Sequence, residues 1–235
     1  MIAVLGHFRE AWAGRRTDVL VQAFHGPGGI GKTALLRRFA IEARRWSDAV
    51  VVELGAEQIA MGKRAFAAAA STGGPKRTVL LVDAADRLGG LEDWVRERFL
   101  FSLAPDSLVV LAGRRPLGPR WRSDPAWAEG LKVRRLTGLS RAEAARIVAN
   151  AAPNRMPGRG ARITFADGHP LALWLVSRDD DPPAADRWRP SPDLIHDLLR
   201  RVRWKQLTRW THRRDRLPDT YRAIAGLVSD RTVNT

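Results

Sequence analysis

The 235-residue sequence contains no cysteine. This absence excludes disulfide bonds, cysteine nucleophiles and thiolate metal sites. The chain also lacks an apolar run of the length that a membrane-spanning helix needs. Its first residues show no basic segment followed by an apolar stretch and a cleavage site, so we expect a cytoplasmic protein that does not insert into a membrane.

Lysine is scarce, although Lys and Arg together number 40 and the formal net charge is +15. Lysine occurs only at Lys32, Lys63, Lys76, Lys132 and Lys205. The arginines are spread along the chain, and their abundance beside alanine is typical of a GC-rich genome rather than of a selected binding face. Their density rises only in the last part of the chain, which leaves binding of that part to nucleic acid as an alternative.

Short apolar segments with β-branched residues recur along the first part of the chain and predict five β-strands. These are residues 19–24, 49–54, 78–82, 107–111 and 131–136. Segments with helical spacing separate several of the strands, at residues 33–46, 57–70 and 91–103. Strands that alternate with helices predict a mainly parallel five-stranded sheet covered on both faces, which is a three-layer α/β/α domain over residues 1–137.

Beyond the fifth predicted strand the pattern becomes helical. Ser140 and Glu143 have the spacing of a capping box, which predicts a helix that reaches about residue 150. A second apolar helix is predicted at residues 170–177. We therefore assign residues 138–177 to a partial helical lid subdomain.

The remaining residues, 178–235, read as a linker and a C-terminal tail rich in Arg and Trp. Residues 178–183 are polar and proline-marked, as in a linker. Residues 192–202 have helical spacing, whereas the sequence beyond Arg203 has no clear period. We expect this tail to be a truncated or poorly packed end.

The sequence Gly26-Pro-Gly-Gly-Ile-Gly-Lys-Thr33 has the spacing of a phosphate-binding loop and lies between a predicted strand and a predicted helix. Glycine permits the backbone angles at which successive N–H groups converge on phosphate oxygens, and the following helix adds its positive end. We expect Lys32 to reach the β- and γ-phosphates and the Thr33 hydroxyl to bind Mg²⁺. The residues expected to contact the nucleotide are Gly26, Gly28, Gly29, Ile30, Gly31, Lys32, Thr33 and Ala34.

Two carboxylates follow the third predicted strand. Asp83 ends the run Val79-Leu-Leu-Val-Asp83, at the edge of an open α/β sheet where ligands collect. It is therefore the expected Mg²⁺ partner. Asp86 has two interpretations, since it can polarise the attacking water or cap the next helix. The spacing favours neither of them.

Two further positions are candidates for contact with the nucleotide. Arg114 follows the fourth predicted strand, where a guanidinium can sense a γ-phosphate, although a solvated arginine fits this Arg-rich chain equally. Pro170 suits the first turn of a helix, and packing against a base is the competing interpretation. His169 has no carboxylate or serine partner at readable spacing, so we do not expect it to be catalytic.

These elements, taken in order, resemble the STAND class of P-loop NTPases, the signal-transduction ATPases with numerous domains. The motif sequences are similar to those of bacterial ATP-binding modules found alone or in LuxR-type transcription regulators. The resemblance covers about residues 19–176. It rests on Phe24–Thr33, Leu80–Asp83, Leu111–Arg114, Leu136–Ser140 and Gly168–Leu173, and on three stretches similar to that subgroup, Asp83–Leu88, Leu91–Arg98 and Gly113–Pro116.

The resemblance implies ATP or ADP with Mg²⁺ as cofactors. It assigns Lys32 and Thr33 to phosphate and Mg²⁺, Asp83 to Mg²⁺, Arg114 to γ-phosphate sensing and Pro170 to the nucleotide base. It also implies a switch in which ADP holds the module closed and ATP releases it to assemble, with self-association or an absent output domain as the partner.

The sequence departs from the family pattern in several places. Ala84 stands where many relatives carry a second acidic residue, so Asp86 becomes the substitute in hydrolysis. The entry motif survives only faintly at Leu5–Glu10, and the winged-helix domain has no match. We therefore expect a regulatory module that hydrolyses ATP slowly. The alternative is a fragment of a DNA-binding regulator that uses its basic tail, with the P-loop domain as a non-hydrolysing nucleotide sensor.

Overall fold

The computed structural model divides the chain into two compact units. The first contains the chain up to Pro27 together with Lys32–Leu136, and the second contains Gly28–Gly31 and the chain from Thr137 onward. The residues that the structure describes are 2–14, 20–73, 76–127, 129–151 and 158–177. None of the helices in these ranges combines the length and the apolar character that a membrane span requires. The predicted linker, the helix at 192–202 and the basic tail lie outside the described residues.

The first unit is built on a parallel sheet of five strands. They are β1 (Leu20–His25), β2 (Val50–Leu54), β3 (Thr78–Val82), β4 (Leu108–Gly113) and β5 (Leu131–Arg135). Their order across the sheet is β2-β3-β4-β1-β5, and every neighbouring pair is parallel. The predicted parallel five-stranded sheet is therefore confirmed, and each predicted strand is found within two residues of its expected bounds.

The strand order has a direct consequence for the position of a site. β4 lies between β1 and β3, so all three strands end at the same edge of the sheet. Ligands of open α/β sheets bind at this carboxyl edge. The loops that follow these strands hold most of the predicted site residues.

Both faces of the sheet are buried, which explains why the strands read as continuous apolar runs. In β1, Val21 and Ala23 belong to one hydrophobic cluster, and Leu20 and Phe24 belong to another. The same alternation holds in the other central strands, because successive side chains of a strand point to opposite faces.

Helices and short helical turns cover the two faces of the sheet. The helices of this unit are α1 (Ile2–Ala13), α2 (Lys32–Ala43), α3 (Ala56–Ala60), α4 (Lys63–Ala70), α5 (Glu92–Trp94) and α6 (Arg120–Ser123). Short 3₁₀ turns occupy Ala85–Arg87, Gly89–Leu91, Leu100–Ser102 and Pro125–Trp127, and a π-helical turn spans Val95–Phe99.

Two of the helix predictions need correction. The single helix expected at 57–70 is two helices, because Gly62 adopts a φ of 88° and interrupts the helical backbone. The helix expected at 91–103 is a series of 3₁₀, α- and π-helical turns rather than one regular helix. In both places apolar periodicity located the helical region but did not determine its regularity.

Helix α1 was not predicted as an element. It is anchored by aromatic stacking, with the Phe8 and Phe39 ring centroids 4.1 Å apart. Arg9 Nε also donates to Glu42 Oε1 of α2 at 2.7 Å. This hydrogen bond is the main cause that lowers the pKa of the Glu42 carboxyl, which keeps it charged although the residue is buried. The helix therefore depends on partners that lie more than 30 residues further along the chain.

The second unit contains three described helices, α7 (Arg141–Ala151), α8 (Arg159–Ala166) and α9 (Pro170–Val176). Their apolar residues form one cluster, with Ala144, Val148, Phe165, Ala166, Leu171, Ala172, Leu173 and Val176 buried in it. Helix α8 was not predicted, because Arg162 interrupts its apolar pattern. The structure buries Arg162 completely, and its guanidinium donates to the carbonyl of Val176.

The capping box at the start of α7 is confirmed. Ser140 N donates to Glu143 Oε2 at 3.0 Å, and Glu143 N donates to Ser140 Oγ at 3.3 Å. The backbone hydrogen bond from Ser140 is the main cause that lowers the pKa of the Glu143 carboxyl. Two backbone N–H groups at the helix start are thereby satisfied, as the motif predicts.

Candidate functional site: a phosphate-binding loop and its surroundings

The loop between β1 and α2 uses glycine where the backbone requires it. Gly29 has a φ of 74° and Gly31 a φ of 101°, both in the left-handed region that residues with a Cβ atom rarely adopt. Ile30 between them is buried, and Gly26 at the start of the loop is also buried. Turns of this kind expose successive backbone N–H groups to an anion.

Lys32 opens α2 and its ammonium group is held by the loop. Nζ donates to the carbonyl oxygens of Gly26 at 2.7 Å and of Pro27 at 2.8 Å. An ammonium group has three N–H donors, so this arrangement keeps one for a further acceptor. The Lys32 side chain therefore lies along the loop that is predicted to receive the phosphates.

The pKa of Lys32 is lowered, chiefly because the side chain is removed from solvent. The field of Arg114 lowers this pKa further, while Asp83 and Asp86 act in the opposite direction. Three predicted site residues from the ends of two strands thus act electrostatically on the loop lysine. A buried ammonium whose charged form is disfavoured gains more from an added anion than an exposed one does.

Thr33 and Asp83 are 50 positions apart and are joined directly. Thr33 Oγ1 donates to Asp83 Oδ2 at 2.6 Å, and Asp83 Oδ1 accepts a hydrogen bond from Ala84 N at 2.8 Å. Hydroxyl and carboxylate oxygens are the ligands that Mg²⁺ prefers, and it completes its shell with phosphates and water. The pair therefore fits the metal that the phosphate loop requires.

Asp86 makes a contact that neither sequence interpretation included. Its Oδ1 accepts a hydrogen bond from the backbone N of Arg114 at 2.7 Å. A Cβ atom on Gly113 would lie 3.0 Å from Asp86 N and Oδ1, so glycine permits this approach. The capping alternative is wrong, since no side chain caps the 3₁₀ turns on either side of Leu88. Asp86 joins the ends of β3 and β4.

Arg114 follows β4 directly and is exposed. The chain beyond it is held by the stretch 91–98, which the resemblance had marked without a role. Glu92 Oε1 accepts hydrogen bonds from Gly118 N and from Trp121 Nε1, each at 2.8 Å. The carboxylate therefore fixes the segment that carries the Arg114 loop into α6.

A buried arginine also holds the chain at the end of α6. Arg96 is 5% exposed and its guanidinium bonds to Asp93, to Glu97 and to Asp124, the residue after α6. Arg120 on α6 adds a contact to Asp93 Oδ2 at 2.6 Å. Sequence reasoning missed these positioning residues. The only available signal was the density of charge within a stretch that also contains core residues.

The second unit brings residues of the phosphate loop to α9. His169 Nε2 lies 3.0 Å from the carbonyl oxygen of Gly28. A Cβ atom on Gly29 would lie 2.7 Å from Leu171 Cβ and 2.9 Å from His169 Cε1. Pro170, predicted to face the base, is the first residue of α9 and lies between these two contacts in the chain.

A second glycine contact fixes the start of α9. Leu139 N donates to Gly168 O at 2.7 Å, and a Cβ atom on Gly138 would lie 3.0 Å from that same oxygen. Gly168 itself has a φ of 75°, and a Cβ atom there would lie 2.4 Å from Leu139 O. The two glycine motifs recognised in the sequence are therefore in backbone contact with each other.

The comparisons with solved structures bear on the fold. The Holliday junction branch migration motor RuvB of Thermotoga maritima aligns at a TM-score of 0.50, with 20% identity over 85% of this chain and 68% of that chain. Domain III of the replication initiation protein DnaA from the same organism aligns at a TM-score of 0.50, with 16% identity over 74% and 80% of the two chains. The fold is that of a P-loop ATPase.

The P-loop ATPase fold is thus established by solved structures alone. No protein-family model matches the chain, and no curated protein matches it either. A STAND protein of Pyrococcus horikoshii aligns at a TM-score of 0.43, with 14% identity over 84% of this chain and 32% of its own, which is too weak to distinguish between classes of P-loop ATPase.

The structure brings five of the predicted residues together at the carboxyl edge of the sheet: Lys32, Thr33, Asp83, Asp86 and Arg114. Gly26 contributes the carbonyl that Lys32 contacts, and Gly28, Gly29, Ile30 and Gly31 belong to the second unit with Pro170. Ala34 is exposed on the first turn of α2. The individual roles of these residues remain predictions.

Proposed function

We propose that this chain is a regulatory ATPase module that binds Mg·ATP in its phosphate loop. The observation that supports this most strongly is the 2.6 Å hydrogen bond between Thr33 Oγ1 and Asp83 Oδ2. A threonine after the loop lysine and an aspartate after β3 have no local reason to meet. Their contact follows from the parallel sheet and matches the paired oxygen ligands of a nucleotide-bound Mg²⁺.

Each residue of the loop has a defined task in this proposal. The N–H groups of the loop and the start of α2 bind phosphate oxygens, and Lys32 adds a formal charge. Thr33 and Asp83 hold the Mg²⁺, which neutralises charge on the phosphates when it is bound. Arg114 lies beyond β4 and senses the γ-phosphate.

Slow hydrolysis is the second part of the proposal. Ala84 follows Asp83 directly, so the only carboxylate available shortly after it is Asp86. Asp86 already accepts the Arg114 N–H through Oδ1, which leaves its second oxygen for water. A carboxylate restrained in this way orients water less effectively than one dedicated to that role, and we expect a low turnover.

The third part of the proposal is a switch. The motifs of the resemblance support a module whose assembly or attached output depends on nucleotide state. Arg114 and Asp86 provide a physical link, because a γ-phosphate that attracts the guanidinium also acts on the backbone that Asp86 holds. A nucleotide can shift such an equilibrium only by binding the two states unequally.

The decisive measurement for the site is titration of the chain with ATP by calorimetry, with Mg²⁺ and with EDTA. Thr33→Val removes the hydroxyl with little change of shape. We expect it to weaken Mg·ATP binding about 10-fold or more, since a metal ligand is lost, and to leave binding in EDTA unchanged. Thr164→Val, on an exposed position of α8, is the matched control.

Two results would contradict the proposal. Wild-type protein that binds no ATP in either buffer excludes a nucleotide site. Thr33→Val protein that keeps the full Mg²⁺ dependence excludes the Thr33–Asp83 pair as the metal site. Light scattering of the chain in Mg·ADP and in Mg·ATP tests the switch, and equal masses in both would exclude control of self-association.

A further inference from the structure

His169 has a defined tautomer because its two ring nitrogens have different hydrogen-bond partners. The backbone N of Ala172 donates to Nδ1 at 3.3 Å, and a backbone N–H can only donate. Nδ1 therefore carries no proton. In a neutral imidazole the proton then lies on Nε2, which donates to the carbonyl oxygen of Gly28 at 3.0 Å.

Each of these two hydrogen bonds has its own consequence. The bond at Nδ1 satisfies a backbone N–H in the first turn of α9, as a side-chain cap does. The bond at Nε2 joins the same residue to the phosphate loop. His169 is 4% exposed, so water does not compete effectively for either bond.

Holding the Gly28 carbonyl also orients the next N–H group. In a planar trans peptide the C=O and the N–H point in opposite directions. The structure contains no cis peptide bond among the described residues. A Gly28 carbonyl directed at His169 therefore directs the Gly29 N–H away from α9.

The side of Gly29 that faces α9 is already filled. A Cβ atom there would lie 2.7 Å from Leu171 and 2.9 Å from His169. Gly29 also has a φ of 74°, which only glycine adopts without strain. The Gly28–Gly29 peptide is thus held on one side by the imidazole and by close packing, and its N–H points to the opposite side.

From this geometry we propose that His169 is a positioning residue for nucleotide binding, because its Nε2–H fixes the Gly28–Gly29 peptide with the Gly29 N–H directed at a phosphate oxygen. This inference rests on the proposed function, since the phosphate belongs to the nucleotide. It gives the imidazole a role that the sequence did not indicate. The role involves no proton transfer.

Two substitutions separate the two hydrogen bonds. His169→Asn places an amide oxygen near the position of Nδ1, so it keeps the cap of α9 but cannot reach Gly28. His169→Gln places an amide N–H near the position of Nε2, so it keeps the bond to Gly28 but loses the cap. His169→Ala removes both bonds.

We expect His169→Asn to bind Mg·ATP and Mg·ADP about 10-fold more weakly than wild type, because the Gly28–Gly29 peptide is no longer held, and to show a Tm lower by about 3 °C for the lost buried hydrogen bond. His169→Gln should keep its nucleotide affinity and show a Tm lower by about 3 °C. Hydrogen exchange followed by mass spectrometry provides an independent readout, since protection of the loop amides by Mg·ADP should fall in the Asn variant and persist in the Gln variant.

The outcomes are distinguishable from failure of the proposed function. Wild-type protein that binds no nucleotide overturns the proposed function and this inference with it. Wild-type protein that binds ATP, with an Asn variant that binds equally well, overturns this inference alone. Equal losses of affinity in the Asn and Gln variants, each in proportion to its loss of Tm, would assign His169 a purely structural role.

Discussion

The two units are organised by different physical means. In the first unit, the carboxylates that follow β3 accept hydrogen bonds from Thr33 at the start of α2 and from the backbone of Arg114 after β4. In the second unit, the contacts at Gly29, Gly138 and Gly168 depend on the absence of a Cβ atom. One unit is organised by charge, and the other by close approach of the backbone.

This difference predicts how each unit responds to amino-acid substitutions. A charged pair can be weakened by degrees, because solvent or a neighbouring group replaces part of the interaction. A backbone contact at 3 Å has no such margin, since a single added methyl group must displace its neighbour. Substitutions in the first unit should therefore reduce nucleotide binding and hydrolysis more than stability. Substitutions at the glycines of the second unit should reduce stability more.

The largest effect is expected at the loop lysine. Lys32→Ala removes the only lysine of the loop, and we expect a loss of Mg·ATP affinity of about 100-fold or more, because a charge-assisted contact is lost from a partly buried site. Its Tm should stay close to that of wild type. Lys63→Ala, at the start of α4, is the control that removes an equal charge elsewhere. Unchanged affinity in Lys32→Ala would contradict the site.

In the second unit, we expect the largest loss of stability from substitution of a closely packed glycine. Gly168→Ala places a Cβ atom 2.4 Å from Leu139 O at a φ of 75°. We expect the free energy of unfolding to fall by about 3 kcal/mol, measured by calorimetry or denaturant titration. Gly160→Ala, within α8 where nothing lies within 4 Å, should instead stabilise by about 0.5 kcal/mol. Equal effects of the two substitutions would remove the contrast between the units.

Substitutions of Asp86 test whether its carboxylate acts both in ATP hydrolysis and in holding the Arg114 backbone. Asp86→Asn keeps an oxygen for the Arg114 N–H, so stability should be retained while steady-state ATP hydrolysis falls about 10-fold. Asp86→Ala loses the hydrogen bond as well, and its free energy of unfolding should fall by about 1 kcal/mol. If the Asn variant hydrolyses ATP like wild type, the role of Asp86 is confined to holding the Arg114 backbone.

The smallest effect is a pH dependence at Lys32. Its pKa is lowered from 10.5, mainly by burial, so the ammonium loses its proton at a lower pH than in the unfolded chain. Affinity for Mg·ATP should be full below the lowered pKa and should fall as pH rises through it. The contribution of Lys32 to stability has the opposite sign, because in that window the unfolded chain binds more protons and stability rises with pH.

Calorimetric titrations with ATP at a series of alkaline pH values below 10.5 measure this dependence. Lys32→Arg is the comparison, since a guanidinium stays charged throughout the range. A decline of equal slope in both proteins would assign the pH dependence to another group. A decline only in wild type would confirm that the charge on Lys32 is used in binding.

Local patterns were sufficient for much of the first unit. Five strands were predicted from apolar β-branched runs, because a parallel sheet buried on both faces requires such runs. The loop at 26–33 was predicted from its glycine spacing, and Gly29 and Gly31 do adopt positive φ values. The capping box of Ser140 and Glu143 was predicted because its two bonds join residues only three positions apart.

Long-range partners were the features that local patterns could not reveal. Helix α1 is stabilised by Phe39 and Glu42 of α2, and α8 contains a buried arginine whose partner carbonyl belongs to Val176. Asp86 presented two equally plausible roles in the sequence. The structure shows a third, because the carboxylate meets a backbone N–H 28 positions away.

The sequence by itself determined the class of fold and the conformation expected of the glycine loop, because strand periodicity and glycine spacing are local properties of the chain. Only the tertiary structure decided that Thr33 meets Asp83, that Asp86 holds the Arg114 backbone and that His169 donates to Gly28. Each of those contacts joins residues between 28 and 141 positions apart. Such distances are closed by strand order and helix packing, which no local pattern encodes.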